Sequence, residues 1–368
     1  MIRSKENTAL NGICPYFTMF PLDFPLSVLE ERARPGEWVL DPFCGRGTTN
    51  YAGRLLGLPS IGIDSSPVAV ALSQAKLANT NPNEILSAVY GILDAVEIPT
   101  DVPVGEFWSL AFHHDVLEMI CRLREGLLQN CETDARKALR AIILGALHGP
   151  RGKKTQSYFS NQCLRTYAPK PRYAVNYWRK HGLHPQWVDV LSIIETRAKR
   201  YYGNEETHAM GKIIQGDSRD STVFKQLREK VRWVVTSPPY YGVRTYLPDQ
   251  WLRLWFLGGP PQVTYSNENQ LNHHSVDSFI NQLRQVWQNA GHVCLDNAWL
   301  VVRFGAISDR NIDYQKLIER SLGNTGWEIK ATQSAGSALD GRRQAHSFSN
   351  PSQSASEELD IAAVWTGA

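Results

Sequence analysis

The stretch WVLDPFCGRGTTNYAGRLLGLPSIGID (38–64) decides the fold. Trp38-Val39-Leu40-Asp41 is short and apolar, a strand. Gly45 and Gly47 break it, Thr48 to Leu56 has helical character, and Ser60 to Asp64 reads as a second strand. Strand, glycine turn, helix and strand make one unit of a parallel sheet with helices on its faces. At such a turn glycines let the backbone approach a ligand, while the free N–H groups opening the next helix face it. Taken alone, the same turn also serves as an ordinary tight strand-to-helix connection.

Asp64 ends the second strand roughly twenty residues after the first, where doubly wound folds place an acid that accepts hydrogen bonds from ribose hydroxyls. The turn is not GxGxxG, because position 50 is Asn50. A nicotinamide or flavin dinucleotide is therefore disfavoured, and a cofactor with an adenosine but no pyrophosphate is expected. Pro67 to Ala78 then reads as an alanine-rich helix with proline in its first turn.

Outward from this unit the pattern changes. From Asn81 to about Gly203 the chain reads as helices, with spacings near 3.6 in Phe107 to Leu128 and Ala135 to Leu147. Strand character returns at Lys212-Ile213-Ile214 and Trp233-Val234-Val235. Helices are expected over Gln250 to Leu257 and Val276 to Ala290, and a further strand over Ala298 to Val302. Ser334 to Glu357 is rich in Ser, Gly, Ala, Asn and Gln and reads as a mobile loop before a last strand, Leu359 to Trp365. The expected fold class is α/β, a doubly wound Rossmann-like sheet with a largely helical insertion. Residues 1–80 and 206–368 form the catalytic, cofactor-binding domain, and residues 81–205 form the insertion.

With 368 residues, 42% hydrophobic and 20% charged, the composition is that of a soluble globular chain. There is no run of eighteen apolar residues and no apolar signal-like N-terminus, so a cytoplasmic location is expected. The six cysteines form no CxxC pair, which argues against a zinc ribbon or a disulfide framework. His113-His114 and His273-His274 have no carboxylate or cysteine at ligand spacing, and no metal is assigned.

A second motif follows the strand at 233–235: Thr236-Ser237-Pro238-Pro239-Tyr240. DPFCGRGTT (41–49) together with TSPPY (236–240) resembles the S-adenosylmethionine-dependent amino-methyltransferases of DNA, which carry a DPFxGxGTT cofactor turn and a (D/N/S)PP(Y/F) catalytic loop. FTMFPLDFP (17–25) is similar to the segment of that family that packs on the methionine part of the cofactor, which brings in Phe20, and GDS (216–218) is similar to its carboxylate turn near the adenine. The resemblance covers roughly residues 15–80 and 212–305. It implies S-adenosyl-L-methionine as cofactor, held by Asp41, Phe43, Gly45, Gly47, Thr48, Asp64, Asp217 and Phe20. It also implies Ser237, Pro238, Pro239 and Tyr240 as the residues around a target base flipped out of double-stranded DNA.

The chemistry suits those residue types. An exocyclic amine is a poor nucleophile because its lone pair is delocalised into the ring, and acceptors for its N–H groups localise that pair toward the methyl donor. The Ser237 hydroxyl and the Pro238 carbonyl supply such acceptors, the prolines fix the loop, and Tyr240 offers a stacking face. Methylation at carbon 5 of cytosine would need a cysteine nucleophile, usually after a proline, and no Cys here follows Pro. No GxSxG elbow supports Ser237 as a nucleophile. Serine at the first loop position resembles enzymes of cytosine N4 more than those of adenine N6, so N4 is favoured. An RNA amino-methyltransferase and a non-catalytic nucleic-acid-binding protein stay open as alternatives.

Residues 148–181 hold eight Lys or Arg, six aromatics and no acid, a mixture suited to phosphates and bases. Arg151, Lys153, Lys154, Arg165, Lys170, Arg172, Arg179 and Lys180 are the expected DNA track, with a solvated basic face as the bland alternative. The family's habit adds a restriction-modification setting, with a cognate restriction endonuclease encoded separately. The recognition sequence and oligomeric state are not legible.

Overall fold

Seven strands are seen among the described residues: β1 (Trp38–Asp41), β2 (Ser60–Asp64), β3 (Gly211–Gln215), β4 (Val231–Thr236), β5 (Cys294–Ile307), β6 (Trp327–Gly336) and β7 (Ala355–Trp365). They form one sheet in the order β3-β2-β1-β4-β5-β7-β6. The structure is a computed structural model and describes residues 6–16, 20–150, 157–160, 168–203, 208, 210–227, 230–242, 247–264, 271, 275–307, 313–336 and 355–367. β1 to β5 run parallel, and β7 is antiparallel to both β5 and β6. The fold is therefore α/β and doubly wound. Strand order reverses between β1 and β4, and in open α/β sheets ligands bind at the carboxyl ends of the strands beside such a switch point.

The sheet buries both faces, which is why its central strands are apolar throughout. Alternate residues go to opposite sides: Val39, Trp233, Val235 and Val301 join one core with Phe24 and Leu29, while Leu40, Val234, Leu300 and Val302 join the other with Phe279, Leu283 and Trp287. The covering helices are α1 (Asp23–Leu29), α2 (Thr48–Leu56), α3 (Pro67–Leu77), α10 (Ser221–Lys225), α12 (Val276–Gly291) and α13 (Tyr314–Leu322), and the helical region supplies α4 (Pro82–Ala95), α5 (Glu106–Ala111), α6 (His114–Gln129), α7 (Asp134–Ala146), α8 (Pro171–Lys180), α9 (Val190–Tyr202) and α11 (Trp251–Phe256).

The chain divides into two compact units, residues 16–73, 207–245 and 268–368 in one and residues 1–15, 74–206 and 246–267 in the other. The helical unit thus takes in two segments outside 81–205. Its interior is aromatic: Trp108 packs against Trp251 and Trp255 with ring centroids 5.6 and 4.5 Å away, and Phe107 against Trp178 at 5.5 Å. Helix starts follow their sequence signals. The Asn81 side chain accepts from the N–H groups of Asn83 and Glu84, ahead of Pro82 in the first turn of α4.

The expected helix over 107–128 is two helices, broken at Phe112-His113. The expected loop from Ser334 needs a larger correction. Ser334 to Gly336 belong to β6, and β7 begins at Ala355, with Gly336 facing Glu358 across the ladder. β6 is largely exposed, so backbone pairing rather than apolar burial makes it a strand, and composition carried no signal for it. Residues 337–354 lie outside the described residues.

Candidate active site

The two sequence motifs meet at the switch point. β1 delivers Asp41 and β4 delivers Thr236, and the Thr236 hydroxyl donates to Asp41 Oδ1 at 2.6 Å. Phe43 N–H donates to the same oxygen at 3.0 Å, which closes the turn after β1. A second tie runs from the Thr49 hydroxyl on α2 to the Val235 carbonyl at 3.1 Å. Both threonines belong to the quoted motifs, yet neither was singled out. Their role shows only when the strands are paired.

Asp41 is fully buried, and among the described residues its other oxygen, Oδ2, meets no donor in hydrogen-bonding geometry. Burial pushes its carboxyl up to about 6, against the lowering effect of the Thr236 and Thr49 hydroxyls and the Phe43 N–H. A buried carboxylate oxygen left without a donor at the switch point of a sheet is a functional-site signal. Asp64 differs. Gly45 N–H donates to its Oδ2 at 2.9 Å and Ser66 N–H to its Oδ1 at 2.8 Å, so the acid at the end of β2 braces the glycine turn. Burial raises its carboxyl above the usual range as well.

The two glycines of the turn differ in what surrounds them. Gly45 has φ +50°, and a Cβ there would meet nothing nearer than the Phe43 carbonyl at 3.9 Å. Gly47, at φ +75°, would drive a Cβ to 2.9 Å from the Ser73 Cα, so its bare Cα lets α2 start against α3. The Ser73 hydroxyl in turn donates to the Gly45 carbonyl at 2.9 Å. Thr48, first residue of α2, is buried.

Phe43 is half-buried, edge-on to Trp287 at 6.1 Å. Phe20 packs edge-on against Phe24 at 5.4 Å. Asp217 lies after β3 and is gripped by its neighbour: Arg219 Nε donates to both carboxylate oxygens at 2.9 Å, which holds the carboxyl below its usual range despite partial burial. Ser218 donates to the Pro42 carbonyl at 2.6 Å, tying this turn to the first motif.

In the loop after β4, Ser237 and Tyr240 are half-buried, Pro238 is buried and Pro239 is exposed. The Tyr240 ring sits edge-on to Phe304 at 5.4 Å, and its hydroxyl donates to Glu358 Oε1 on β7 at 2.6 Å. Two residues on, Asp360 receives a bidentate fork from its cross-strand neighbour Arg303, at 2.8 and 2.7 Å, and the same guanidinium lies 4.1 Å over the Phe24 ring. Sequence reading passes over Glu358 and Asp360, and it assigns Arg303, on the strand AWLVVRFG, no role, with the cofactor pocket or a strand cap both open. Two acids at i and i+2 in the apolar strand 358–365 were the available signal, since that spacing puts both on one face.

The expected DNA track is on the helical unit. Arg151, Lys153, Lys154 and Arg165 lie outside the described residues. Lys170 precedes α8, which buries Ala174, Val175 and Trp178 and exposes Arg172, Tyr173, Arg179 and Lys180. Arg179 is paired with Glu106. Tyr173, Tyr177 and His181 recur at i, i+4 and i+8: the tyrosine rings are within 17° of parallel, 6.5 Å apart, and Tyr177 lies 4.4 Å from the imidazole. No cluster of three potential metal ligands occurs among the described residues, and no described helix is long and apolar enough to cross a membrane.

Residues 2–75 match the family described as DNA methylase. Over 78 residues the chain is 35% identical to the Type II methyltransferase M.MjaII of Methanocaldococcus jannaschii, which covers 21% of this chain and 15% of that protein. Over 68 residues it is 32% identical to the Type II methyltransferase M.BsoBI of Geobacillus stearothermophilus, covering 18% and 13%. The chain thus matches only a small fraction of the length of these curated relatives. Among solved structures it is similar to the rRNA methyltransferase aviRa of Streptomyces viridochromogenes, with 12% identity, 98% of this chain and 93% of that one covered, and a TM-score of 0.38. The likeness to DNA methylases therefore falls on the segment that carries β1, the glycine turn, α2, β2 and most of α3, and it stops short of the TSPPY loop.

Proposed function

We propose that this chain is a DNA methyltransferase that uses S-adenosyl-L-methionine to methylate the exocyclic amine of a flipped base, with cytosine N4 favoured over adenine N6. The observation that carries the reading is the 2.6 Å bond between Thr236 and Asp41, which joins the TSPPY loop to the glycine turn at the sheet's switch point. The match of residues 2–75 to DNA methylases supports the DNA half of it.

The residues present fit such a cofactor. Asp41 Oδ2 is an orphaned buried acceptor suited to the ammonium of its methionine part, Gly45 leaves room for close approach, and Asp64 at the end of β2 stands where ribose hydroxyls are received. Phe20, Phe43, Gly47, Thr48 and Asp217 complete the proposed cofactor set. Bound there, the cofactor would supply a methyl group already activated for transfer to the amine, whose proton would leave to solvent. The protein's part is positioning. Ser237 Oγ and the Pro238 carbonyl accept from the amine's N–H groups, Pro239 stiffens the loop, and Tyr240 walls the base.

On the helical unit, Lys170, Arg172, Arg179 and Lys180, with Arg151, Lys153, Lys154 and Arg165, are proposed to track phosphates. The Tyr173–Tyr177–His181 row supports this reading, because aromatic rings lined up beside cations on a partly exposed helix face suit bases. A restriction-modification role with a separately encoded endonuclease belongs to the same proposal.

The test is incubation with labelled S-adenosylmethionine and mixed duplex DNA, digestion to nucleosides and mass identification, with Ser237→Ala in parallel. Labelled N4-methylcytosine that disappears in the variant is expected. Transfer to structured RNA but not to DNA would replace the polymer, and no cofactor binding at all would overturn the enzyme.

A further inference from the structure

We infer that Glu358, on the last strand of the sheet, is a positioning residue that holds the Tyr240 ring in the one orientation the base pocket needs. The inference rests on the proposed role of Tyr240 as a wall of that pocket.

Glu358 is 4% exposed, a burial at which a carboxylate is rare without a partner, and the Tyr240 hydroxyl donates to its Oε1 at 2.6 Å. That separation is in the range of charge-assisted O–H···O bonds, about 2.5–2.7 Å. The ring is therefore fixed at three places. Pro238 and Pro239 restrict the backbone leading to it, Phe304 meets it edge-on at 5.4 Å, and Glu358 anchors the far end of the phenol. Without the anchor, a half-buried tyrosine on a loop keeps rotamer freedom, and a stacking wall that rotates loses its orienting effect.

The surrounding charges let an acid serve here. Arg303 spends its fork on both oxygens of Asp360, and it lies close enough for its charge to interact with Glu358 and Tyr240. Glu358 and Asp360 thus divide the work on one face of β7: Asp360 holds the cation that steadies this end of the sheet, and Glu358 holds the tyrosine. The face is built by β5 and β7, which the chain reaches more than fifty residues after TSPPY, so no motif spacing reveals it.

Glu358→Ala, Glu358→Gln, Tyr240→Phe and the double variant Tyr240→Phe/Glu358→Ala test the anchor. Expected are a fall in kcat of about tenfold in Glu358→Ala and in Tyr240→Phe, unchanged affinity for S-adenosylmethionine, a double variant no slower than either single one, and recovery in Glu358→Gln, which still accepts from the phenol. A second readout does not depend on turnover. In fluorotyrosine-labelled protein, the resonance assigned by its loss in Tyr240→Phe should shift and broaden in Glu358→Ala. An unmoved resonance, or additive losses in the double variant, would overturn the inference. Absence of transfer by the unmodified protein would instead sink the reading of the pocket, while the resonance would still decide the anchor.

Discussion

The helical unit and the switch point of the sheet bury charge in opposite ways. In the helical unit Arg253, 1% exposed, donates from Nε to the Leu144 carbonyl at 3.1 Å and from Nη1 to Gln250 at 2.6 Å. Arg124 there donates to the Trp255 carbonyl at 2.9 Å and to Asp101 at 3.0 Å. These cations tie α11 to α7 and α6, and α6 to the loop at Asp101. At the switch point Asp41 is buried as deeply, yet among the described residues one of its oxygens meets no donor in bonding geometry, and its carboxyl is pushed up to about 6. Burying a charge without full pairing costs stability, so such a group persists where it serves something other than the fold. The bonds of Arg253 and Arg124 serve the architecture, whereas the orphaned oxygen of Asp41 lies where the two motifs meet.

Asp41→Asn breaks this comparison most directly. Methyl transfer should fall by about 100-fold or more, as expected when a charged partner is lost. The fold should gain. A carboxylate that titrates near 6 when folded and near 3.9 when unfolded binds its proton more tightly in the folded state, so its stabilising contribution is complete below 3.9 and lost as pH rises through 6. By order of magnitude that loss is about 3 kcal/mol. The variant should melt higher than the parent at pH 8 and show no advantage at pH 4 in calorimetry. Cofactor affinity in the parent should fall as pH drops below about 6, and in the variant the part of that fall that belongs to Asp41 should be absent.

Arg253→Met is the counterpart in the helical unit. Removing a buried cation that bonds a carbonyl and an amide should destabilise by roughly 2–4 kcal/mol through the acceptors it leaves unpaired. Chemical denaturation checks it, and an unaltered midpoint would break the contrast.

The glycine turn sharpens the comparison further. Gly47→Ala meets Ser73 backbone at 2.9 Å with φ at +75°, so a loss of about 2 kcal/mol is expected in denaturant melts. Gly45→Ala has room and should cost only about 1 kcal/mol of backbone strain, with its larger effect on cofactor affinity. Equal stability losses at the two positions would contradict the division of labour between them.

The smallest effect belongs to α8. Arg172→Glu with Lys180→Glu should leave melting unchanged, since both are exposed, and lower DNA affinity with a salt slope reduced by about one per cation removed. An unchanged slope would take this helix off the DNA track.

Legibility in the sequence followed the range of the interactions. The unit from Trp38 to Asp64 was readable because strand, turn and helix signals are local: apolar runs, glycines at fixed offsets, an acid at a strand end. β6 was not readable, because an edge strand needs only a neighbour's backbone, and neither were Thr236, Arg303 and Glu358 as partners, because their bonds span strands distant in the chain. The bare sequence determined the fold class and the residue types at the two motifs, since short-range sterics and polar pattern dictate them. Only the tertiary structure decided that the motifs touch through Asp41 and Thr236, that Asp41 keeps one oxygen open, and that the last strand anchors Tyr240. Sheet register brings those atoms together, and register is set by the packing of the whole domain.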